Sequence, residues 1–388
     1  MACYSRSTAP RMRPAWRRIV HQPRRGTVAG RTWWRLPALL LCLPLLGACS
    51  TLAYYSQAVG GQWQLMQQER PVTRVIDDPD SSAALRRRLL LVQQLLDFAH
   101  RQLLLPDNGS YRDYADLGRP YVAWNVFAAP ELSMRAREWC YLFIGCLTYR
   151  GYFSPERARD YAAVLQRQGW EVYVGGVSAY STLGWLRDPV LNTMLEREDW
   201  ELARLLFHEL AHQKVYLRQG GEVNEAVAET VARLGLQQWL ATRPAAQQDR
   251  AQAQLAHEDA LNGLLLAYRR KLVRCYSGTR PEAQKRACKG RLYAALAADY
   301  RRLRRGWAGD SRFDAWMGHG LNNAKLVAVA TYQRLVPGLM AEFRALGSDW
   351  TKFYNYLEGL DKFDHAGLLR ELDQRQKVPN LSGSAPVP

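Results

Sequence analysis

Long apolar stretches are almost missing from this chain. Outside the first fifty of its 388 residues no run approaches the roughly 20 apolar residues of a membrane span, which excludes an integral membrane protein. There is no internal repeat and no composition break between residues 52 and 365, so one domain is expected. None of the seven cysteines forms a C-x2-C pair, which argues against a cysteine-built zinc site. An apolar fraction of 48% with 23% charge rules out disorder or a fibre. Acidic residues are wholly absent from residues 1–48, where nine arginines lie between Arg6 and Arg35. Without that segment the net charge falls from +17 to +8, so the basic balance of the remainder is modest.

What the first fifty residues do contain is the layout of an export signal. A basic region runs into Leu36-Pro-Ala-Leu-Leu-Leu-Cys-Leu-Pro-Leu-Leu-Gly-Ala-Cys49. The end of that run, Leu46-Gly47-Ala48-Cys49, resembles a bacterial lipobox, whose cysteine is acylated and becomes the first residue of the mature chain. Residues 1–48 are therefore expected to be a lipoprotein signal peptide and Cys49 the lipidation site. Ser50 resembles the residue that sends such proteins to the outer membrane, facing the periplasm. Cys140, Cys146, Cys275 and Cys288 then remain. An even count in an oxidising compartment predicts two local disulfides, Cys140–Cys146 and Cys275–Cys288.

Apolar periodicity places the elements. Leu85, Leu89, Val92, Leu96, Ala99 and Leu103 recur at steps of three and four, predicting a helix over 83–104 behind the capping run Asp77-Asp-Pro-Asp-Ser-Ser82. Residues 110–154 read as loops and brief strands, 155–168 as a helix with proline in its first turn, and 170–177 as a strand. Beyond 190 helices are expected at 196–216, 224–241, 246–273, 281–305, 323–345, 349–358 and 365–374. The Arg- and Ala-rich pair before Gly306 reads as a solvated hairpin with no nucleic-acid partner, and the tail 375–388 reads as disordered. The fold class is thus mainly α with a small β element (α+β), with one domain over 49–374.

One motif carries chemistry. Within a strongly helical stretch stands His208-Glu209-Leu-Ala-His212, an H-E-x-x-H that chance would place in about one chain in a hundred of this composition. Histidines four apart share a helix face, with Cβ atoms about 5–6 Å apart, so both imidazoles can meet one Zn2+. Glu209, one step round the helix, is placed to take a proton from a water at the metal. Leu205, Leu206, Leu210 and Ala211 make the helix apolar enough to be buried, where two unpartnered histidines would be costly. A third ligand is needed. Gly220-Gly221 ends this helix and Asn224 is a good cap for the next, on whose one face Glu225 and Glu229 both lie. Spacing leaves the two glutamates open; the loser would form a surface ion pair, which suits Glu229 with Arg233.

The sequence His208-Glu-Leu-Ala-His-Gln213 followed by Asn224-Glu225-Ala-Val-Ala resembles the gluzincin arrangement of zinc peptidases. More closely, the chain resembles the predicted zinc aminopeptidase family of bacterial lipoproteins. Leu105-Pro-Asp-Asn-Gly-Ser-Tyr111, Trp124-Asn-Val-Phe-Ala-Ala-Pro-Glu131, Trp139-Cys140 with Gly145-Cys146, and Tyr149-Arg-Gly-Tyr-Phe153 carry part of the likeness. Ala179-Tyr-Ser-Thr-Leu-Gly-Trp185, Asp188-Pro189 and Leu321-Asn-Asn-Ala-Lys-Leu326 carry the rest, over about residues 52–360. The resemblance implies a zincin-like fold, one Zn2+ per chain, and Glu225 as third ligand beside His208 and His212. Glu229 is a departure, standing where the family more often has a small or hydroxyl residue.

The expected function is zinc-dependent peptide hydrolysis of the aminopeptidase type in the bacterial periplasm, with Glu209 as base. An envelope endopeptidase and a non-catalytic scaffold lipoprotein are the rival readings, the scaffold disfavoured because all three H-E-x-x-H residues are intact. Tyr332, His319 and Tyr180 are candidate donors to the oxyanion. The strand 170–177 and the Tyr180 loop would form a cleft wall for an extended substrate. Glu222, Glu229 or Glu131 would hold the substrate's α-amino group.

Overall fold

The computed structural model describes residues 54–141, 145–218 and 220–377. The signal segment, Cys49 and residues 378–388 lie outside them. The order of elements is a helix over 54–66 (α1), β1 (Arg70–Pro71), α2 (Val72–Asp77), α3 (Ala83–Gln102), β2 (Asp113–Ala115) and β3 (Ala123–Pro130). Then come β4 (Trp139–Tyr141), β5 (Gly145–Leu147), β6 (Arg150–Tyr152), α4 (Pro155–Arg167), β7 (Trp170–Val177), β8 (Val190–Leu191) and α5 (Asn192–Leu195). The rest is helical: α6 (Asp199–Lys214), α7 (Gly221–Leu240), α8 (Ala245–Tyr276), α9 (Glu282–Arg304), α10 (Asp314–Gly318), α11 (Asn323–Gln333), α12 (Val336–Ala345), α13 (Trp350–Glu358) and α14 (His365–Lys377). The fold is mainly helical with small sheets, and the described chain from Tyr55 onward forms one compact unit. Among the described residues no helix is long and apolar enough to cross a membrane.

Local chemistry accounts for most boundaries. Ser82 caps α3 by accepting the Leu85 N–H, and α3 buries Leu89, Val92, Leu95, Leu96 and Ala99. Ser154 caps α4 in the same way, with Pro155 in the first turn. β3 is the middle strand of an antiparallel sheet ordered β6-β3-β7, pairing with β7 over its whole length, Ala123 opposite Val177 and Pro130 opposite Trp170. Val126, Phe127, Ala128 and Ala129 of β3 are buried, so both faces of the strand are covered. Disulfides join β4 to β5 through Cys140–Cys146 and α8 to α9 through Cys275–Cys288.

Helix ends differ from the sequence expectation by up to three residues, as at α6 and α8, and three further differences concern the helices themselves. The single helix expected over 323–345 is two helices, because Pro337 cannot donate and sits instead in the first turn of α12. The last helix continues to Lys377, past residue 374, where the tail was expected to start. α7 begins at Gly221, and Asn224 is not its cap. The Asn224 amide turns back to Leu217, accepting its N–H and donating to its carbonyl, each at 2.9 Å. That clasp satisfies a buried loop residue and leaves the start of α7 to Gly220 and Gly221.

Candidate metal centre

Two helices packed against one another carry the centre. α6 is fixed by Leu202, Ala203, Leu206, Phe207, Leu210 and Ala211, all buried in the main core. It stops at Lys214, because Val215 takes an extended conformation (φ −136°, ψ 124°). A short loop clasped by Asn224 then returns the chain as α7, whose first turns face the second half of α6. The Cys140–Cys146 hairpin packs on this loop: a Cβ on Gly145 would stand 2.6 Å from the Arg218 carbonyl, and one on Gly221 3.0 Å from the Cys146 carbonyl. Both positions also have positive φ, so glycine is needed for the close approach.

The result brings three donors together. His208 Nε2 and His212 Nε2 are 3.2 Å apart, and Glu225 Oε2 lies 3.5 Å from the first and 3.6 Å from the second. Ligand atoms held about 2.0–2.1 Å from one tetrahedral ion stand about 3.3–3.4 Å from each other. The three therefore fit a divalent metal such as Zn2+ in both donor chemistry and spacing. Among the described residues no other group of three His, Cys, Asp or Glu side chains converges in this way.

Glu229, one turn further along α7, occupies a different place. Its Oε2 is 3.8 Å from His208 Nδ1, the nitrogen turned away from the other two donors. Its other oxygen meets Arg204 and, at 2.7 Å, Arg233 Nε. Arg204 continues to Glu258 at 2.8 Å. Glu229 is only 5% exposed, so it is not the surface ion-pair partner expected from the sequence but the buried centre of a charge network behind His208.

Burial and charge oppose each other in the metal-free centre. Burial alone would lower the His208 pKa, but Glu225, Glu229 and Glu209 outweigh it and raise it to about 10. Burial would raise Glu225, yet the two histidines hold it well below the usual carboxylate range. Glu209 goes the other way: burial raises its pKa, and Glu225 and Asp188 add to the rise against the pull of the histidines.

A family model described as Putative aminopeptidase matches residues 53–371, most of the chain. The chain belongs to that family. No curated protein and no solved structure matches it.

Of the other residues singled out in this family member, Tyr332 on α11 lines the centre, its ring 6.4 Å from that of His208. Burial and the charges of Glu225, Glu209 and Glu229 raise its pKa well above 10.0. Tyr180 does not face the donors: its hydroxyl donates to Gln62 of α1, and its ring meets Phe153 edge-on. His319 is not at the centre either. It is an exposed residue at the end of α10, with Nδ1 bonded to the Ala315 carbonyl of its own helix. Glu222 pairs with Arg334 at 2.8 Å and Glu131 with Arg286 at 2.9 Å, the latter pair exposed. With Glu229 held by two arginines, all three carboxylates expected to hold an α-amino group are already engaged.

Sequence reasoning gave no role to two tyrosines that belong here. Tyr149, between β5 and β6, donates from its hydroxyl to Glu225 Oε1 at 3.0 Å. It follows the Cys140–Cys146 hairpin by three residues, so the same packing that seats the hairpin on the α6–α7 loop delivers this hydroxyl. Tyr111 is 2% exposed, and its hydroxyl has no hydrogen-bond partner among the described residues. The charges of Glu209 and Asp188 act on it. Both tyrosines stand in runs that resemble the family, which was the one signal available. The contacts themselves span the sequence and could not be read from spacing.

Proposed function

We propose that this protein is a zinc-dependent peptidase of the aminopeptidase type, exported and lipid-anchored through Cys49 to a bacterial membrane, with its site facing the periplasm. The observation that supports the reading best is the convergence of His208 Nε2, His212 Nε2 and Glu225 Oε2 at 3.2–3.6 Å beside buried Glu209. Bound there, Zn2+ would polarise a peptide carbonyl and acidify a water. Glu209, buried beside the three donors, accepts the proton of the attacking water and returns it to the leaving amine. Glu229 fixes the His208 ring by facing Nδ1, which leaves Nε2 for the metal. Tyr149 holds one oxygen of Glu225 so that the other faces the histidines. Tyr332, whose ring lies 6.4 Å from that of His208, would donate to developing charge on the carbonyl oxygen.

An endopeptidase reading keeps one specific observation in its favour, the engagement of Glu222, Glu229 and Glu131 by arginines. A peptide library offered to the purified protein, half with free and half with acetylated N-termini, separates the two. Stepwise loss of N-terminal residues from the free half alone, abolished by a chelator and restored by zinc, is the expected result. Internal cuts in both halves would make it an endopeptidase. No cleavage with one zinc bound would leave a scaffold.

A further inference from the structure

The first described helix leaves large apolar side chains uncovered. α1 (54–66) turns two glutamines, Gln57 and Gln62, toward the body of the protein, while Ser56 and Gln64 are exposed. Gln57 Oε1 accepts the Phe153 N–H at 3.1 Å, and Gln62 takes the Tyr180 hydroxyl. Gly61 lies so close to Phe153 that a Cβ there would be 2.3 Å from the ring, and Leu65 is 2% exposed. The inward face is therefore Gln57, Gly61, Gln62 and Leu65. The outward stripe is apolar: Val59 is 68% exposed, Trp63 61% and Met66 43%, at helical steps of four and three. Tyr55, one turn before Val59 and edge-on to Tyr141, is 41% exposed. A helix facing water on its outer side would not expose three large apolar side chains in one stripe.

Charge is missing as well. From Leu36 to Gln68 the sequence has no Asp, Glu, Lys or Arg. Nothing charged would have to leave water if this helix lay against hydrocarbon. Trp and Tyr are also the side chains that favour the boundary between headgroups and acyl chains. The stripe begins six residues after Cys49 in the sequence, within a short tether of the proposed lipid.

We propose that the Val59–Trp63–Met66 face of α1 is a membrane-docking surface that lies in the headgroup boundary of the bilayer. The partner is the lipid surface itself, held by apolar insertion and not by charge, so binding is independent of headgroup charge and of salt. It rests on the lipid anchor proposed above only for bringing α1 to a membrane; the face has its own affinity.

The test uses the chain from residue 49 onward with Cys49→Ser, which lacks the acyl group and retains the compact unit beginning at Tyr55. Co-sedimentation with phosphatidylcholine vesicles, at low and high salt, is compared with Val59→Ser plus Trp63→Ser in the same chain. The parent is expected to partition onto vesicles at both salt concentrations, and the double variant about tenfold less. Thermal melting checks that the double variant is folded, and Met66→Ser provides a milder second variant with a smaller loss. No binding by the parent, or equal binding by the variants, overturns the proposal. So does a concentration-dependent dimer that the double variant abolishes, since a second copy would then be the partner. Fatty-acid labelling of the wild-type chain in cells reads the anchor separately: absent label with vesicle binding retained removes Cys49 acylation and keeps the docking face.

Discussion

Tyr149→Phe is the sharpest probe of the proposed metal centre, because it removes one hydroxyl and nothing else. The Tyr149 ring packs at 5.6 Å from Phe127, a contact phenylalanine keeps. What disappears is a buried hydrogen bond of 3.0 Å to Glu225 Oε1, whose acceptor is held ionised by His208 and His212. A hydrogen bond to a charged partner contributes about 1.5–3 kcal/mol. If that energy holds the third donor in place, its loss should weaken zinc binding by roughly 10–100-fold, the range seen for partners that orient metal ligands. Competition with a chromophoric chelator of known zinc affinity, at one fixed pH, measures this directly. Tyr332→Phe is the control: that ring stands 6.4 Å from His208 and its hydroxyl bonds none of the three donors, so zinc affinity should stay within about twofold while turnover falls. An affinity change below about threefold in Tyr149→Phe, or the same loss in both variants, would refute the assignment of Tyr149 to Glu225.

Other outcomes follow from the same geometry. Glu209→Gln should bind zinc as tightly as the parent yet lose about 10^2–10^4-fold in peptide turnover, since the base is removed and the donors are spared; wild-type turnover would rule Glu209 out as the base. Glu225→Ala should strip the metal with the fold intact. Glu229→Ala should instead destabilise the fold by about 1–3 kcal/mol in denaturant unfolding, because Arg204 and Arg233 would each lose one buried carboxylate partner while keeping Glu258 and Asp259; a loss of a few tenths would mean the network is solvated. In the metal-free protein the His208 pKa is raised from 6.5 to about 10, so its pairing stabilises the fold fully below pH 6.5 and is lost as pH rises through about 10. Zinc must displace that proton, so near neutral pH calorimetry in buffers of different ionisation enthalpy should find about one proton released per zinc, with affinity rising with pH; no proton release would contradict the imidazolium.

The sequence by itself determined what depends on neighbours along the chain. Periodic apolar residues, the capping run ending in Ser82, Pro155 in a first turn, and the alternation of 170–177 are local signals, and the elements they predict are present in the structure. The H-E-x-x-H pair is local too, because a helix alone sets residues four apart on one face. Which glutamate meets those histidines was not local. It turned on where α6 stops and how the loop closes, and therefore on Val215 taking an extended conformation and Asn224 clasping Leu217. Only packing could show that Glu229, which by spacing suits an exposed pair with Arg233, also meets Arg204 and lies buried behind His208. The same holds for Tyr149, separated by 76 residues from Glu225, and for the outward apolar stripe of α1, whose exposure depends on Phe153 filling the space at Gly61. Helical period is written into a short stretch of residues, whereas the partner across a loop, and the side that faces solvent, exist only once distant segments have packed.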